Sequence, residues 1–174
     1  MRWFVVAILV VVGFVIALLA AGAMLPEKHT VSRSITVPRP VAEVWQVLTE
    51  HAQDPSWRAD VASVTKIADR NGHPVWEEKY KNGDTMRIET TLSEAPKRME
   101  RKIVDQSAFG GVWVYEVSPS PDGKATTVRI TENGEVYNPA FRFIGRFIIG
   151  NEATVEKYLT DLAAKFGARA EFPK

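Results

Sequence analysis

Three charged side chains fall on strand faces that are otherwise apolar or aromatic, and these are the positions where the chain could do chemistry. In Val75 to Lys81, Trp76, Glu78 and Tyr80 share a face, because successive side chains of a strand point to opposite sides. By the same alternation Arg101 lies with Met99 and Ile103, and Glu132 with Val128 and Ile130. Met86, Ile88, Thr90 and Leu92 form a further such face, as do Trp113, Tyr115 and Val117. Each charge therefore keeps apolar company, and all three are expected to point inward. A lone ion in such a space costs several kcal/mol, whereas a paired one can roughly break even. Three readings follow. Arg101 bridges one or both carboxylates and holds strands in register; or Arg101 faces the anionic or carbonyl head group of a ligand whose apolar body meets the aromatics, Met86 and Met99; or the two carboxylates, with a Tyr nearby, move protons.

Other chemistries have less support. The absence of Cys rules out disulfides, thiol nucleophiles and thiolate metal sites. His29, His51 and His73 lie far apart without ligand spacing, so no metal site is assigned. Neither GxSxG nor GxGxxG occurs, which removes the usual hydrolase and dinucleotide signatures. Lys plus Arg number 22 against 21 for Asp plus Glu, a balance that gives no long-range attraction to phosphate backbones and no reason to invoke nucleic acid. No catalytic residue and no cofactor is assigned.

The elements that would position these residues are legible in the hydrophobic pattern. Val31 to Val37 alternates and reads as a first strand. Pro38 and Pro40 stop it, and Val41, Val44, Trp45 and Leu48 then share one face of a short helix ending near His51. Asp54-Pro55-Ser56-Trp57 reads as a turn or short helix before a strand from Val61 to Ile67. Asn71-Gly72 and Asn82-Gly83 are hairpin signals around Val75 to Lys81, with Thr85 to Leu92 following. Arg98 to Val104, Val112 to Val117 and Thr126 to Val136 complete the series, with Gly110-Gly111 read as a turn before the second of them. The last helix is read from Asn138 to about Phe166. Phe141, Ile144, Ile148, Val155, Leu159, Leu162 and Phe166 recur along it at steps of three and four, broken only at Glu152. That stripe and the sheet have no other long partner, so the sheet is expected to wrap the helix in an α+β arrangement.

From Phe141 to Ile149 this helix is apolar nearly all round, relieved by Arg142 and Arg146. The segment is expected either to be buried under a loop or to face a lipid surface with the two Arg at the headgroups. Gly145 and Gly150 could permit a kink there.

Residues 1–25 form a separate unit. Trp3 to Leu25 carries no charge, and as a helix it would extend roughly 35 Å against a hydrocarbon thickness of about 30 Å. Arg2 and the small-x-small Ala21-Gly22-Ala23 also fit a cleaved signal peptide, but the apolar run exceeds the usual core of about 7 to 15 residues. A retained single-pass anchor is the reading, with a short tether at 26–30 and a domain at 31–174. Arg2 on one side and Lys28, Arg33 and Arg39 on the other leave the orientation open.

The proline-bounded helix with Val44-Trp45, the segment Ser56-Trp57-Arg58-Ala59-Asp60, the strand meander and the terminal helix together resemble the START-like superfamily, the polyketide cyclase/dehydrase and lipid-transport group. Phe109-Gly110-Gly111-Val112-Trp113 and Thr131-Glu132-Asn133-Gly134-Glu135-Val136-Tyr137-Asn138-Pro139 resemble a bacterial branch of it with an N-terminal membrane segment. The resemblance implies a helix-grip fold, a curved antiparallel sheet around the C-terminal helix with a ligand cavity between them. The cavity residues expected are Trp57, Trp76, Glu78, Tyr80, Met86, Met99, Arg101, Trp113, Tyr115, Glu132 and Phe141. The function expected is a membrane-anchored binder or carrier of a hydrophobic small molecule or lipid. The alternatives are a cyclase or dehydrase acting on an apolar oxygenated substrate, and an interaction module whose cavity is filled by its own side chains.

Overall fold

The alternating segments assemble into one antiparallel sheet of seven strands. The computed structural model describes residues 1–172. It opens with a helix, α1 (Arg2–Ala23), followed by β1 (Lys28–Val37), α2 (Val41–Thr49) and a 3-10 turn at His51–Ser56. A meander follows: β2 (Val61–Arg70), β3 (His73–Tyr80), β4 (Thr85–Glu94), β5 (Arg98–Val104), β6 (Phe109–Pro119) and β7 (Thr126–Val136). The sheet order is β1-β7-β6-β5-β4-β3-β2, so β1 closes back onto the last strand of the meander. The fold is α+β, a helix-grip with the curved sheet folded over the C-terminal helix.

The core forms where helix stripes meet the inner sheet face. Val44 and Leu48 of α2 are fully buried with Trp45, against Ile35, Val37, Val117, Val128 and Ile130. On the other side stand Val155, Leu159 and Leu162 of α4 (Ala153–Lys165), all with no exposure. Alternation sorts β1 and β7 as the sequence implies, with Ile35, Val37, Val128 and Ile130 buried, but on β3 and β4 the paired Val75 and Glu89, on the face opposite Glu78 and Ile88, are buried as well. Asn71 and Gly72 take the positive φ values that a tight hairpin turn needs.

Three local expectations are corrected. The tether at 26–30 is shorter, because Lys28, His29 and Thr30 already pair with Glu135, Gly134 and Asn133. Gly110-Gly111 is no turn but part of β6, paired with Glu135 and Gly134. Gly111 has φ +131°, and a Cβ there would collide with the Asn133 carbonyl, so the glycines serve close strand contact rather than chain reversal.

The third correction concerns the terminal helix, which is not continuous from Asn138 to Phe166. It runs as α3 (Pro139–Ile144), capped by the Asn138 side chain on the Ala140 N–H, and then as a π turn at Gly145–Ile149. Gly150, at φ +89°, ends that turn before α4 begins. A π turn holds an extra residue and resets the phase of the helix. The expected single stripe therefore splits: Val155, Leu159 and Leu162 are buried, while Phe141 is 48% and Ile148 68% exposed.

At the N-terminal end, α1 packs against α3. Gly22 is the buried residue of α1, and a Cβ on it would overlap the Pro139 carbonyl. Arg142 does not reach outward to a lipid surface. It donates to the carbonyls of Leu25, Val136 and Tyr137 and pairs with Glu27 at 3.0 Å, fastening the start of α3 to the segment between α1 and β1. Phe147, Ile148 and Ile149 remain exposed beside it. Leu18 and Ala21 are half-buried, the other residues of α1 besides Gly22 are exposed, and the helix is long and apolar enough to cross a membrane.

Candidate ligand pocket

Between the sheet and the broken terminal helix lies a pocket of about 520 Å³. The volume lies within the range of about 300–1,000 Å³ typical of small-molecule sites. The pocket floor comes from β3 to β7, and its roof from α3, the π turn and the face of α4 carrying Tyr158. Phe141, Ile144 and Ile149 stand on the α3 side, and Asp60, Lys157 and Asp161 at the far end.

Of the residues expected in the cavity, Glu78, Tyr80, Met86, Arg101, Trp113, Tyr115, Glu132 and Phe141 line this pocket. Met99 does not; it is 1% exposed inside the core with Tyr115 and Val117. Trp76 stacks edge-on against His51, with ring centroids 5.2 Å apart. Trp57 packs edge-on against Tyr158 at 5.3 Å, outside the lining, with its indole nitrogen unpartnered among the described residues. For the strand residues Met99 and Trp76 the cause is that alternation assigns a face but not what covers it: Met99 lies in the packed core and Trp76 meets His51 of the 3-10 turn.

The inward charges are paired, though in a different pattern from the one expected. Glu78 has no exposure and accepts from two arginines, Arg101 Nη2 at 3.0 Å on Oε1 and Arg58 Nη1 at 2.8 Å on Oε2. Tyr80 donates to Oε2 at 2.9 Å, and Arg58 also meets Asp54 Oδ2 at 3.2 Å. Burial pushes the Glu78 carboxyl up, but Arg101 and Arg58 outweigh it and hold the group below the usual carboxylate range. Burial likewise works against the charge of Arg101, yet Glu78 and its neighbours raise it overall. Asp54 fares otherwise, because burial outweighs the two arginines and lifts it to about 6. His51 is driven down to about 2 by burial and then by Arg101 and Arg58, so it stays neutral.

Arg101 does not bridge to Glu132. They lie on β5 and β7 with Trp113 of β6 paired to both, which separates their backbones by about 10 Å at two strand spacings. The neighbour of Glu132 is instead His29 on β1, with Nε2 3.5 Å from Oε1. Burial lifts Glu132 to about 7, opposed by the Trp113 indole N–H, while burial alone lowers His29.

Arg58, Asp54, His29 and Tyr158 were not assigned from sequence. Arg58 sits within Ser56-Trp57-Arg58-Ala59-Asp60, and its guanidinium lies 5.3 Å from the Tyr158 ring centroid. An Arg in an otherwise turn-like segment was a weak signal, because loop residues have no periodicity from which to read direction. His29 fell within the expected tether. Among the described residues no three metal-ligating side chains converge.

The helix-grip fold has counterparts among known proteins. The family model for polyketide cyclase/dehydrase and lipid transport matches residues 28–170. The chain belongs to that family. No curated protein sequence matches it. Among solved structures, a START superfamily protein from Mycobacterium smegmatis shares 13% identity and a TM-score of 0.64, covering 80% of this chain and 97% of its own. The Zhui aromatase/cyclase from Streptomyces sp. R1128 also shares 13% identity, with a TM-score of 0.67 over 80% of this chain and 94% of its own. Norcoclaurine synthase from Thalictrum flavum, in complex with a transition-state analogue, is 8% identical with a TM-score of 0.62 over 80% and 94%. At these identities the likeness extends to the helix-grip fold of the family and no further.

Proposed function

We propose that this family member is a membrane-anchored binding or carrier protein for a hydrophobic small molecule or lipid held between the sheet and the split terminal helix. The observation that carries the reading is the pocket of about 520 Å³, bounded on one side by Phe141, Ile144 and Ile149. That side belongs to α3 and the π turn, and α3 is packed on α1. With α1 as the anchor, the apolar rim and exposed Phe147, Ile148 and Ile149 lie where the chain meets the bilayer, as an apolar surface on a tethered domain would. An apolar ligand then moves between lipid and pocket without crossing water. The buried ions support binding over turnover, since Glu78, Arg58 and Arg101 are committed to each other.

The test is native mass spectrometry of the full chain released from detergent, followed by extraction of what co-purifies. A bound lipid or other apolar small molecule is expected at one per chain. Protein that emerges empty, and that takes up no apolar compound when offered a lipid extract, would overturn the reading.

A second reading, a cyclase or dehydrase acting on an apolar oxygenated substrate, draws on Glu132, which lines the pocket and whose carboxyl burial lifts to about 7. Turnover of an offered aromatic polyketone would favour it.

A further inference from the structure

Glu132 and His29 stand at the β1/β7 end of the pocket, away from the Arg58–Glu78–Arg101 cluster. Both line the pocket, with side chains 16% and 19% exposed. Their nearest atoms, Oε1 and Nε2, are 3.5 Å apart, too far for a good hydrogen bond. Glu132 Oε2 is enclosed without a bonded partner of good geometry among the described residues, so the exposure of the side chain falls on the remainder, which includes Oε1. The fold makes room for this arrangement at one position. A Cβ on Gly134 would strike the His29 ring and come within 3.0 Å of Glu132 Oε1.

We infer that Glu132 and His29 form a two-donor clamp for a single carbonyl oxygen of an apolar ligand. The inference rests on the cavity-binding reading and names the ligand class within it. Two donors 3.5 Å apart can both reach one oxygen at about 2.8 Å, which neither can do for the other. Oε1 is the carboxyl oxygen that faces His29 and the pocket, and a proton carried there is the one a ligand carbonyl can accept. The neutral His29 ring supplies the second donor from Nε2. A carbonyl seated there lies about 10 Å across the sheet from Arg101, at two strand spacings, which leaves the space over Trp113 for an apolar body.

The clamp works only while Glu132 keeps its proton. Burial is the main cause that holds the proton there, opposed by Trp113. The charged groups around this end include His29 and Lys28 on β1, Glu135 on β7 paired with Lys28, Arg142 of α3 paired with Glu27, and Arg33 paired with Glu152 and Glu156 at α4.

The probes are benzophenone and diphenylmethane, which share a shape and differ by the carbonyl. Affinities are measured by calorimetry on the full chain in amphipol between pH 6 and pH 8. Benzophenone should bind more tightly than diphenylmethane at pH 6, and this preference should fall about tenfold by pH 8 as Glu132 ionises. Glu132→Gln keeps a donor at every pH, so its preference should be flat. The carbonyl stretch of bound benzophenone in the unaltered protein should move to lower frequency at pH 6 and recover at pH 8, a reading that needs no variant. Diphenylmethane bound as well as benzophenone at all pH values would overturn the clamp and leave the cavity reading standing. A pH dependence that survives in Glu132→Gln would also overturn it. Binding of neither probe would overturn the cavity reading and the clamp together.

Discussion

Arg58 Nη1 lies 2.8 Å from Glu78 Oε2, across 20 residues of chain. The contact ties the segment after the 3-10 turn to β3, and Arg101 approaches the same carboxylate from β5 on its other oxygen. One buried anion thus joins three parts of the fold. Two arginines would repel each other in this space, and Glu78, helped by Asp54, is what allows both to stay charged.

Glu78 should accordingly matter more than either arginine. Glu78→Gln leaves two buried cations facing each other and should cost about 3 to 5 kcal/mol, as breaking a buried pair does. Arg101→Met leaves Arg58 and Tyr80 on the carboxylate and should cost less, about 1 to 3 kcal/mol. Urea unfolding of the full chain in detergent, followed by tryptophan fluorescence, ranks them. The opposite ranking would mean that Glu78 is not the hub.

Glu132 gives a prediction with a definite sign. Its carboxyl is raised from 4.5 to about 7 in the folded protein. The folded state therefore holds the proton more tightly than the unfolded chain, and the associated stability is present below about pH 4.5 and lost as pH rises through about 7. Glu132→Gln cannot ionise, so its stability relative to the unaltered protein should rise from pH 5 to pH 8, by on the order of 3 kcal/mol at the upper limit. His51 contributes the opposite slope below its ordinary value, because burial depresses it, but it is common to both proteins and cancels in the difference. A difference that does not change with pH would show that Glu132 is ionised throughout.

How much of this was legible in the sequence depended on which physical rule governed each residue. Strand direction is set by alternation, so the facing of Glu78, Arg101, Trp113 and Glu132 into one space follows from the strand pattern alone. Pairing among them does not, because it depends on which loop residue reaches in. Arg58 and Asp54 come from an aperiodic segment, and His29 lies on a strand that begins three residues earlier than the alternation from Val31 implies. The break in the terminal helix had a visible sign in Gly145 and Gly150. Its consequence had none, because a π turn followed by one left-handed glycine shifts phase without altering the apolar content.

That phase shift can be tested by two truncations on what the sequence presents as one stripe. Leu159 is fully buried and Ile148 is 68% exposed. Leu159→Ala should cost about 2 to 5 kcal/mol, and Ile148→Ala no more than about 0.5 kcal/mol in detergent-solubilised protein. Equal costs would restore the continuous helix with one buried face.

The last prediction concerns how α1 bears on the pocket. Gly22 lets α1 approach α3 so closely that the Pro139 carbonyl occupies the space of a side chain. Arg142 then fastens α3 to Leu25 and Glu27, two and four residues beyond α1. Since α3 also supplies Phe141 and Ile144 to the pocket rim, its position should depend on the approach of α1. Gly22→Leu should force the two helices apart, because the obstruction is backbone rather than a side chain that could rotate away. Hydrogen exchange on the full chain should then speed up over residues 139–149, where local opening frees the helix amides. The ladders joining β3, β4 and β5 lie away from this contact and should keep their protection. Faster exchange throughout would signal a general loss of stability instead. Unchanged exchange over 139–149 would mean that Arg142 alone holds α3, and that α1 leaves the pocket rim unaffected.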